Sequence, residues 1–227
     1  VAVKALPKNK RYKFRVPPAF PRMTIGLMGG TFDPPHEGHR HISEIALKRL
    51  GIDRLWWLVT PGNPLKTRSD IASFEKRFKR ARKLVSDPRI DVTGFEATQG
   101  SAYTADTLHF LLRRYPATRF IWIMGADNLT GFHNWQQWDE ILHALPIAVI
   151  DRPGCRLRAL SGRAAHRYQW ARLDDSDSAG LKNVPPPAWT FITAPLCDIS
   201  STELRGKKKP KKKKEKKKGN AKRKKKH

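Results

Sequence analysis

The order of segments along the 227-residue chain predicts an α/β fold built on a doubly wound parallel sheet. Three observations carry that expectation. Short apolar runs alternate with stretches of helical period over most of the chain. Most of these runs are apolar throughout instead of alternating with polar residues, as strands covered on both faces must be. The first run ends in a glycine pair that leads toward a helix.

Taken in order, Thr24-Ile25-Gly26-Leu27-Met28 reads as a buried strand followed by a Gly-Gly turn. From about His39 to Leu50, Ile42, Ile45, Ala46 and Leu50 fall at helical spacing, and Gly51 ends the helix. Leu55 to Thr60 is the second strand. Ile71 to Val85 is a helix with a heavily charged outer face, broken by Asp87-Pro88. Ile90 to Phe95 is a strand, Thr104 to Tyr115 a helix, and Phe120-Ile121-Trp122-Ile123-Met124 a continuous apolar strand. A helix over roughly Trp135 to Leu145 leads to a strand at Ile147 to Ile150. The last strand, Thr190-Phe191-Ile192-Thr193, precedes Ser200-Ser201-Thr202. Between Arg152 and Trp189 the pattern fails. The arginines, the acidic Asp174-Asp175-Ser176-Asp177 and Pro185-Pro186-Pro187 read as a variable excursion without an assigned function. No internal repeat is visible.

The net charge of +26 is concentrated at the ends. Residues 206–227 hold 15 Lys/Arg and one Glu, and residues 1–22 hold 7 Lys/Arg and no acid. The body, 23–205, has 24 basic and 19 acidic residues and is only mildly basic. One domain over 23–205, a basic N-terminal extension and a Lys-rich tail, expected to be disordered, follow from that distribution. A histone-like or wholly disordered chain is excluded. Cys155 and Cys197 form no CxxC and share no zinc-type spacing with histidine, which argues against a disulfide scaffold or zinc module. Apolar stretches such as Leu55-Trp56-Trp57-Leu58-Val59 fall far short of the roughly 18 residues of a membrane span. With no secretory signal pattern either, the expectation is a soluble, cytoplasmic protein.

In a parallel sheet of this kind ligands sit beyond the carboxyl ends of the strands, so chemistry is sought just after each strand. After the first comes Gly29-Gly30-Thr31-Phe32-Asp33-Pro34-Pro35-His36-Glu37-Gly38-His39. Two glycines let the backbone turn tightly and approach a bulky anion, and the prolines stiffen the entry to the helix. His36 and His39, three apart, face one side of the first turn, beside its free N–H groups and the positive end of the dipole. That is a phosphate site in which two imidazoles donate hydrogen bonds as charge develops.

The segment resembles the GxFDPxHxGH signature of the nucleotidyltransferase superfamily, which implies a Rossmann-like fold. Ile199-Ser200-Ser201-Thr202-Glu203-Leu204-Arg205 is similar to the family's ISSTxxR, with hydroxyls at a helix start and an arginine one turn on. That second motif favours adenylyl over cytidylyl transfer, and phosphopantetheine adenylyltransferases carry a similar pair. Three more segments resemble bacterial nicotinate-mononucleotide adenylyltransferases in particular. They are Ser101-Ala102-Tyr103-Thr104-Ala105-Asp106-Thr107-Leu108, Met124-Gly125-Ala126-Asp127-Asn128, and Asp151-Arg152-Pro153-Gly154. The likeness covers roughly 23–205.

The resemblance implies adenylyl transfer from ATP to nicotinate mononucleotide, giving nicotinate adenine dinucleotide and pyrophosphate. It implies Mg2+ bridging the ATP phosphates with few or no protein carboxylates, and no dedicated metal cage is visible in the sequence. On that basis His36 and His39 hold the phosphates. Gly29, Gly30, Thr31 and Phe32 line the meeting point of the substrates through backbone atoms. Ser201, Thr202 and Arg205 grip the β- and γ-phosphates, Gly125 and Asp127 sit by the adenosine, and Arg152 flanks the adenine. Lys66 meets the mononucleotide phosphate, Thr104 helps read the nicotinate carboxylate, and Trp135, on the helix after the GxD segment, stacks on its ring. Bland alternatives stand beside several of these: Trp135 as core, Thr104 as an N-cap, Lys66 as a solvated loop residue. Asp33 shapes the turn, Trp56 and Trp57 pack, and His41, His109, His133 and His143 are structural or exposed.

The sequence departs from the family after Arg205, where Gly206 follows at once and Pro210 interrupts what comes next, so the helix carrying the hydroxyls is expected to be short. The plainest reading of the tail is a solvated, charge-rich end; it also suits salt-dependent, unselective contact with nucleic acid as a side property, without aromatics for base stacking. Other readings are an adenylyltransferase for nicotinamide mononucleotide or phosphopantetheine, or a nucleic-acid-binding protein on this fold. The intact phosphate motifs argue against the last.

Overall fold

The computed structural model describes residues 14–62, 71–99 and 103–195. Seven strands form one sheet: β1 (Thr24–Gly30), β2 (Arg54–Val59), β3 (Ile90–Thr93), β4 (Arg119–Gly125), β5 (Ile147–Ile150), β6 (Arg172–Leu173) and β7 (Trp189–Ile192). Their spatial order is β3-β2-β1-β4-β5-β7-β6, and every pairing is parallel. The helices between them are α1 (Glu37–Arg49), α2 (Phe74–Leu84), α3 (Glu96–Gln99), α4 (Thr104–Arg114), α5 (Ala126–Gly131), α6 (Trp138–Ala144), α7 (Arg156–Leu160) and α8 (Arg163–Arg167). A 3-10 segment, Asp175–Asn183, leads toward β7.

The uniform apolarity of the strands has the expected cause. On one face Ile25, Leu27, Trp56 and Trp122 pack against Leu108 and Leu111 of α4, Ile141 and Leu142 of α6, and Ala165 of α8. On the other, Trp57, Ile121, Ile123 and Ile150 pack against Ile42, Ala46 and Leu47 of α1, Ala81 of α2 and Leu181. Trp56 and Trp57 are consecutive, so the two-residue period of a strand sends them to opposite faces, and both are fully buried. Either one cut to Ala would cost about 3–5 kcal/mol.

The topology positions the site. The chain works outward from β1 to β3 and then returns to β4 on the other side of β1, which makes the β1/β4 boundary the switch point of the sheet. Leu27 lies opposite Trp56 on one side and Trp122 on the other. β1 ends at Gly30 and β4 at Gly125, so a crevice opens beyond these two glycines. α1 descends from it, with Glu37 in the first turn and Lys48 and Arg49 in the last, both matched to the helix dipole. Gly51, at φ +58°, closes the helix in the left-handed conformation that glycine adopts without strain.

Several elements differ from the sequence reading. The excursion is folded: α7, α8 and the 3-10 segment cover the sheet, and β6 extends it through Arg172 opposite Trp189. The helix expected from Trp135 starts at Trp138. Phe132–Asn134 forms a 3-10 turn, and Gln137 takes φ +56°, which breaks the helical run, so Trp135 precedes the helix instead of riding on it. α4 begins at Thr104 with Tyr103 at the cap position, so Thr104 is not its N-cap. Residues 14–22 lie against the domain. The Phe14 ring meets Phe74 and Phe78 of α2 edge-on at 5.0 and 4.8 Å, Thr93 Oγ1 donates to the Arg15 carbonyl, and Arg22 N–H donates to the Ala117 carbonyl. Among the described residues no helix is long and apolar enough to cross a membrane.

Candidate active site

The loop leaving β1 is shaped so that backbone, not side chain, faces the crevice. A Cβ on Gly29 would lie 2.6 Å from the Trp122 ring, and one on Gly30 would lie 3.2 Å from Phe32. Phe32 holds φ +48°, a conformation that costs a non-glycine residue about 1 kcal/mol or more. Its ring turns inward and stacks on Trp57 at 5.0 Å. Asp33 Oδ2 accepts the Ala72 N–H at 3.4 Å, in keeping with its expected role in the turn.

Arg77 of α2 fixes the same loop from behind. Its guanidinium donates to the carbonyls of Thr31 (2.5 Å), Thr60 (2.9 Å), Ala72 (2.9 Å) and Pro61 (3.1 Å). One buried cation thus joins the segments that leave β1 and β2. Burial pulls its pKa down, against Asp33 and Glu75.

His36 occupies the N-cap position of α1 and His39 lies three residues on, with ring centroids 3.8 Å apart. The His36 N–H donates to His39 Nδ1 at 3.2 Å, and the His39 N–H donates to the His36 carbonyl at 2.9 Å. With Nδ1 accepting, the proton of the neutral His39 ring belongs on Nε2. Burial holds the His39 pKa well below the ordinary histidine value, and His36 and Arg152 push the same way. The turn is pinned to the sheet behind it: the Trp57 indole N–H donates to Ser43 Oγ, and the Ser43 hydroxyl donates to the His39 carbonyl, both at 2.8 Å.

Across the crevice, Gly125 stands at the foot of α5, and Asp127 lies in that helix's first turn. Arg152, after β5, reaches back so that its Nη1 meets Asp127 Oδ2 at 3.3 Å. A Cβ on Gly125 would lie 2.5 Å from Asp127 Oδ1 and 2.8 Å from Arg152 Cδ, so only glycine leaves this pair in place. Asp151 beneath it is buried, accepts the Arg152 N–H at 2.8 Å, and pairs with Arg156.

The geometry therefore brings together Gly29, Gly30, Thr31, Phe32, His36, His39, Gly125, Asp127 and Arg152. Trp135 is half-buried and meets Phe132 and Trp122 edge-on at 5.3 and 6.2 Å, and Trp122 is the ring that passes under Gly29. Thr104 is half-buried at the head of α4. Lys66, Ser201, Thr202 and Arg205 lie outside the described residues. The described chain ends at Pro195, whose carbonyl is 2.6 Å from His41 Nε2 on α1, two residues beyond His39. Sequence reasoning missed Arg77 and the Trp57–Ser43 support. The signal for Arg77 was present: with Phe74, Phe78 and Ala81 it continues the inward stripe of α2, and a charge at a core position asks for buried partners.

The cytidylyltransferase-like family model matches residues 27–207. A probable nicotinate-nucleotide adenylyltransferase of Agrobacterium fabrum is 54% identical over 187 residues, covering 82% of this chain and 100% of its own. One from Methylorubrum extorquens is 56% identical over 183 residues, covering 81% and 99%. Among solved structures, the Plasmodium falciparum nicotinic acid mononucleotide adenylyltransferase complexed with NaAD superposes with a TM-score of 0.61 at 18% identity, over 82% of this chain and 83% of that one, a likeness of fold.

Proposed function

Because the chain belongs to the cytidylyltransferase-like family and, within it, to the nicotinate-nucleotide adenylyltransferases, we infer that it transfers the adenylyl group of ATP to nicotinate mononucleotide. The products are nicotinate adenine dinucleotide and pyrophosphate, a step in NAD biosynthesis. The observation that carries this reading is the imidazole pair on the first turn of α1, at the switch point between β1 and β4.

The reaction needs no side-chain nucleophile, because the phosphate of the mononucleotide is one already. A phosphate oxygen attacks the α-phosphorus of ATP in line, the bond to the bridging oxygen breaks, and that oxygen leaves with pyrophosphate. The protein's share is positioning and charge stabilisation. His39, neutral and with Nδ1 occupied, donates from Nε2 to a phosphate oxygen, and His36 acts beside it. The positive end of the α1 dipole adds to the same field. His36 and Arg152 both disfavour a proton on His39, so the charge this pocket lacks is negative, which is what a triphosphate brings.

The remaining roles follow the sequence motifs. Gly29, Gly30, Thr31 and Phe32 offer backbone atoms where the two substrates meet, with Gly125, Asp127 and Arg152 beside the adenosine. Ser201, Thr202 and Arg205 take the β- and γ-phosphates, a role supported by their spacing in the sequence. On the mononucleotide side Lys66 takes the phosphate, Thr104 the nicotinate carboxylate, and Trp135 the ring. Magnesium enters on the ATP phosphates as part of that substrate. Among the described residues no group of three or more His, Cys, Asp and Glu side chains is placed to hold a metal. The domain spans 23–205, the reaction belongs to the cytoplasm, and the Lys-rich tail, 206–227, adds salt-dependent contact with polyanions as a side property.

The test is pyrophosphate release with ATP and magnesium, offering nicotinate mononucleotide, nicotinamide mononucleotide and phosphopantetheine in parallel. Preferential turnover of the nicotinate form is expected. A site that reads a carboxylate with N–H donors presents the wrong partners to an amide NH2, so preference for either other acceptor would overturn the assignment.

A further inference from the structure

Two indole N–H groups on the same face of the sheet, those of Trp56 and Trp122, are buried and have no hydrogen-bond partner among the described residues. A buried donor left unpaired is costly, so each asks for a reason. Trp56 finds one within the core. Its ring meets Tyr115, just past α4, and Phe120, near the start of β4, edge-on at 6.4 and 6.0 Å. Both lie toward the amino ends of the strands, away from the crevice, and an aromatic face is a weak acceptor for an N–H.

Trp122 leans the other way. It is in register with Leu27 of β1, yet its ring reaches Gly29, two residues further along that strand. A Cβ on Gly29 would lie 2.6 Å from Trp122 Cη2 and 3.1 Å from Cζ2. The ring therefore tilts toward the carboxyl ends of the strands, where the crevice opens. Cζ2 belongs to the same ring edge as Nε1, and Cζ3, at 3.7 Å, to the opposite edge, so the nitrogen-bearing edge is the one turned to Gly29. Trp135 stands beside it, with 86° between the two ring planes.

We propose that Trp122 is a specificity-determining residue of the mononucleotide half of the crevice, its Nε1–H donating to the carboxylate of nicotinate mononucleotide. The proposal rests on the functional reading above, which places Gly29 where the substrates meet and Trp135 against the pyridine ring. A ring stacked flat on Trp135 stands nearly perpendicular to Trp122, so Trp122 is no second stacking plate, and what it adds is its polar atom. The phosphate end of the mononucleotide belongs to α1, which packs on the other face of the sheet, and the carboxylate is the acceptor that the pyridine ring carries.

An indole N–H suits discrimination between acid and amide. The hydroxyl of Thr104, the other group assigned to the carboxylate, donates or accepts and so fits either form. Indole nitrogen only donates, and it presents no acceptor to an amide NH2. Its bond to a carboxylate is charge-assisted and stronger than its bond to a neutral amide oxygen.

Trp122→Phe is the test, because it keeps an aromatic ring under Gly29 and removes the donor. For nicotinate mononucleotide kcat/KM is expected to fall about tenfold or more, for nicotinamide mononucleotide about threefold or less, with KM for ATP unchanged. In the original protein the indole N–H resonance of Trp122, assigned through the backbone, should move downfield when nicotinate mononucleotide is added and stay in place with ATP alone. This second measurement needs no variant and decides the matter if Trp122→Phe fails to fold. Equal losses with the two mononucleotides would make Trp122 a packing residue and overturn the proposal. So would a resonance that stays in place, or moves as far with ATP alone, in a protein that turns over nicotinate mononucleotide. If the original protein does not use nicotinate mononucleotide at all, the functional reading itself fails and the proposal with it.

Discussion

Arg77 is the residue whose removal the structure prices most directly. Its guanidinium serves four carbonyl oxygens, on Thr31, Thr60, Pro61 and Ala72, and Arg77 is 1% exposed. Arg77→Met fills similar space but leaves those four acceptors without their donor. Water can reach loop carbonyls once the head group is gone, so the low end of the range applies, about 1 kcal/mol each and about 4 kcal/mol together. For a domain of this size, about 1 kcal/mol moves Tm by roughly 2–4 °C, so a fall of roughly 8–16 °C is expected. Arg77→Lys keeps the charge but not the planar fork, reaches fewer carbonyls, and should fall between the two. Because Thr31 and Thr60 flank the crevice, KM for both substrates should also rise at temperatures where the variant is folded. Thermal unfolding and steady-state kinetics on the three proteins make the comparison. If Arg77→Met melts within about 2 °C of the original and keeps both KM values, Arg77 does not clamp the loops as described.

Two further perturbations bear on the crevice itself. His39 is kept neutral by burial with His36 and Arg152 nearby, so the unfolded chain takes up a proton near pH 6.5 before the folded one does, and stability should fall as pH drops below that value. His39→Gln should remove most of that acid sensitivity, and saturating ATP should reduce it in the original protein, because phosphate favours the charged ring; equal Tm loss in both proteins between about pH 7.5 and about pH 5.5 would contradict this. Gly125→Ala puts a methyl 2.5 Å from Asp127 Oδ1 and 2.8 Å from Arg152 Cδ. The pair must separate, at about 1–3 kcal/mol, so KM for ATP should rise about tenfold or more while KM for the mononucleotide stays put, and an unchanged ATP KM would remove the pair from the nucleotide site.

What was legible in the sequence divides along physical lines. β5 could be read to the residue, because Ile147–Ile150 is a four-residue apolar run bounded by Pro146 and Asp151. α1 could be read from its period, although its start shifts to Glu37 because His36, in extended backbone, takes the cap position. α3, α5, α7 and α8 could not be read, since four to six residues complete too little of a helical period to show one. β6 is two residues long and exists only because Trp189 and Thr190 lie beside it. Of the crevice, the glycines and histidines were visible as a motif. The residue behind them, Arg77, acts through buried hydrogen bonds to Thr31, Thr60 and Pro61, well removed in sequence, and nothing local in the chain specifies those partners.

The central claim is that the turn carrying His36 and His39 is where the adenylyl group changes hands. A single turnover with ATP, magnesium and nicotinate mononucleotide, read by mass as the dinucleotide formed, tests it most directly when His36→Ala is run beside the original protein. The account predicts the dinucleotide and pyrophosphate in equal amounts from the original, and a rate lower by about 10²–10³ in His36→Ala at unchanged Tm. Dinucleotide formed at the same rate by folded His36→Ala, or no dinucleotide from the original protein, would contradict it.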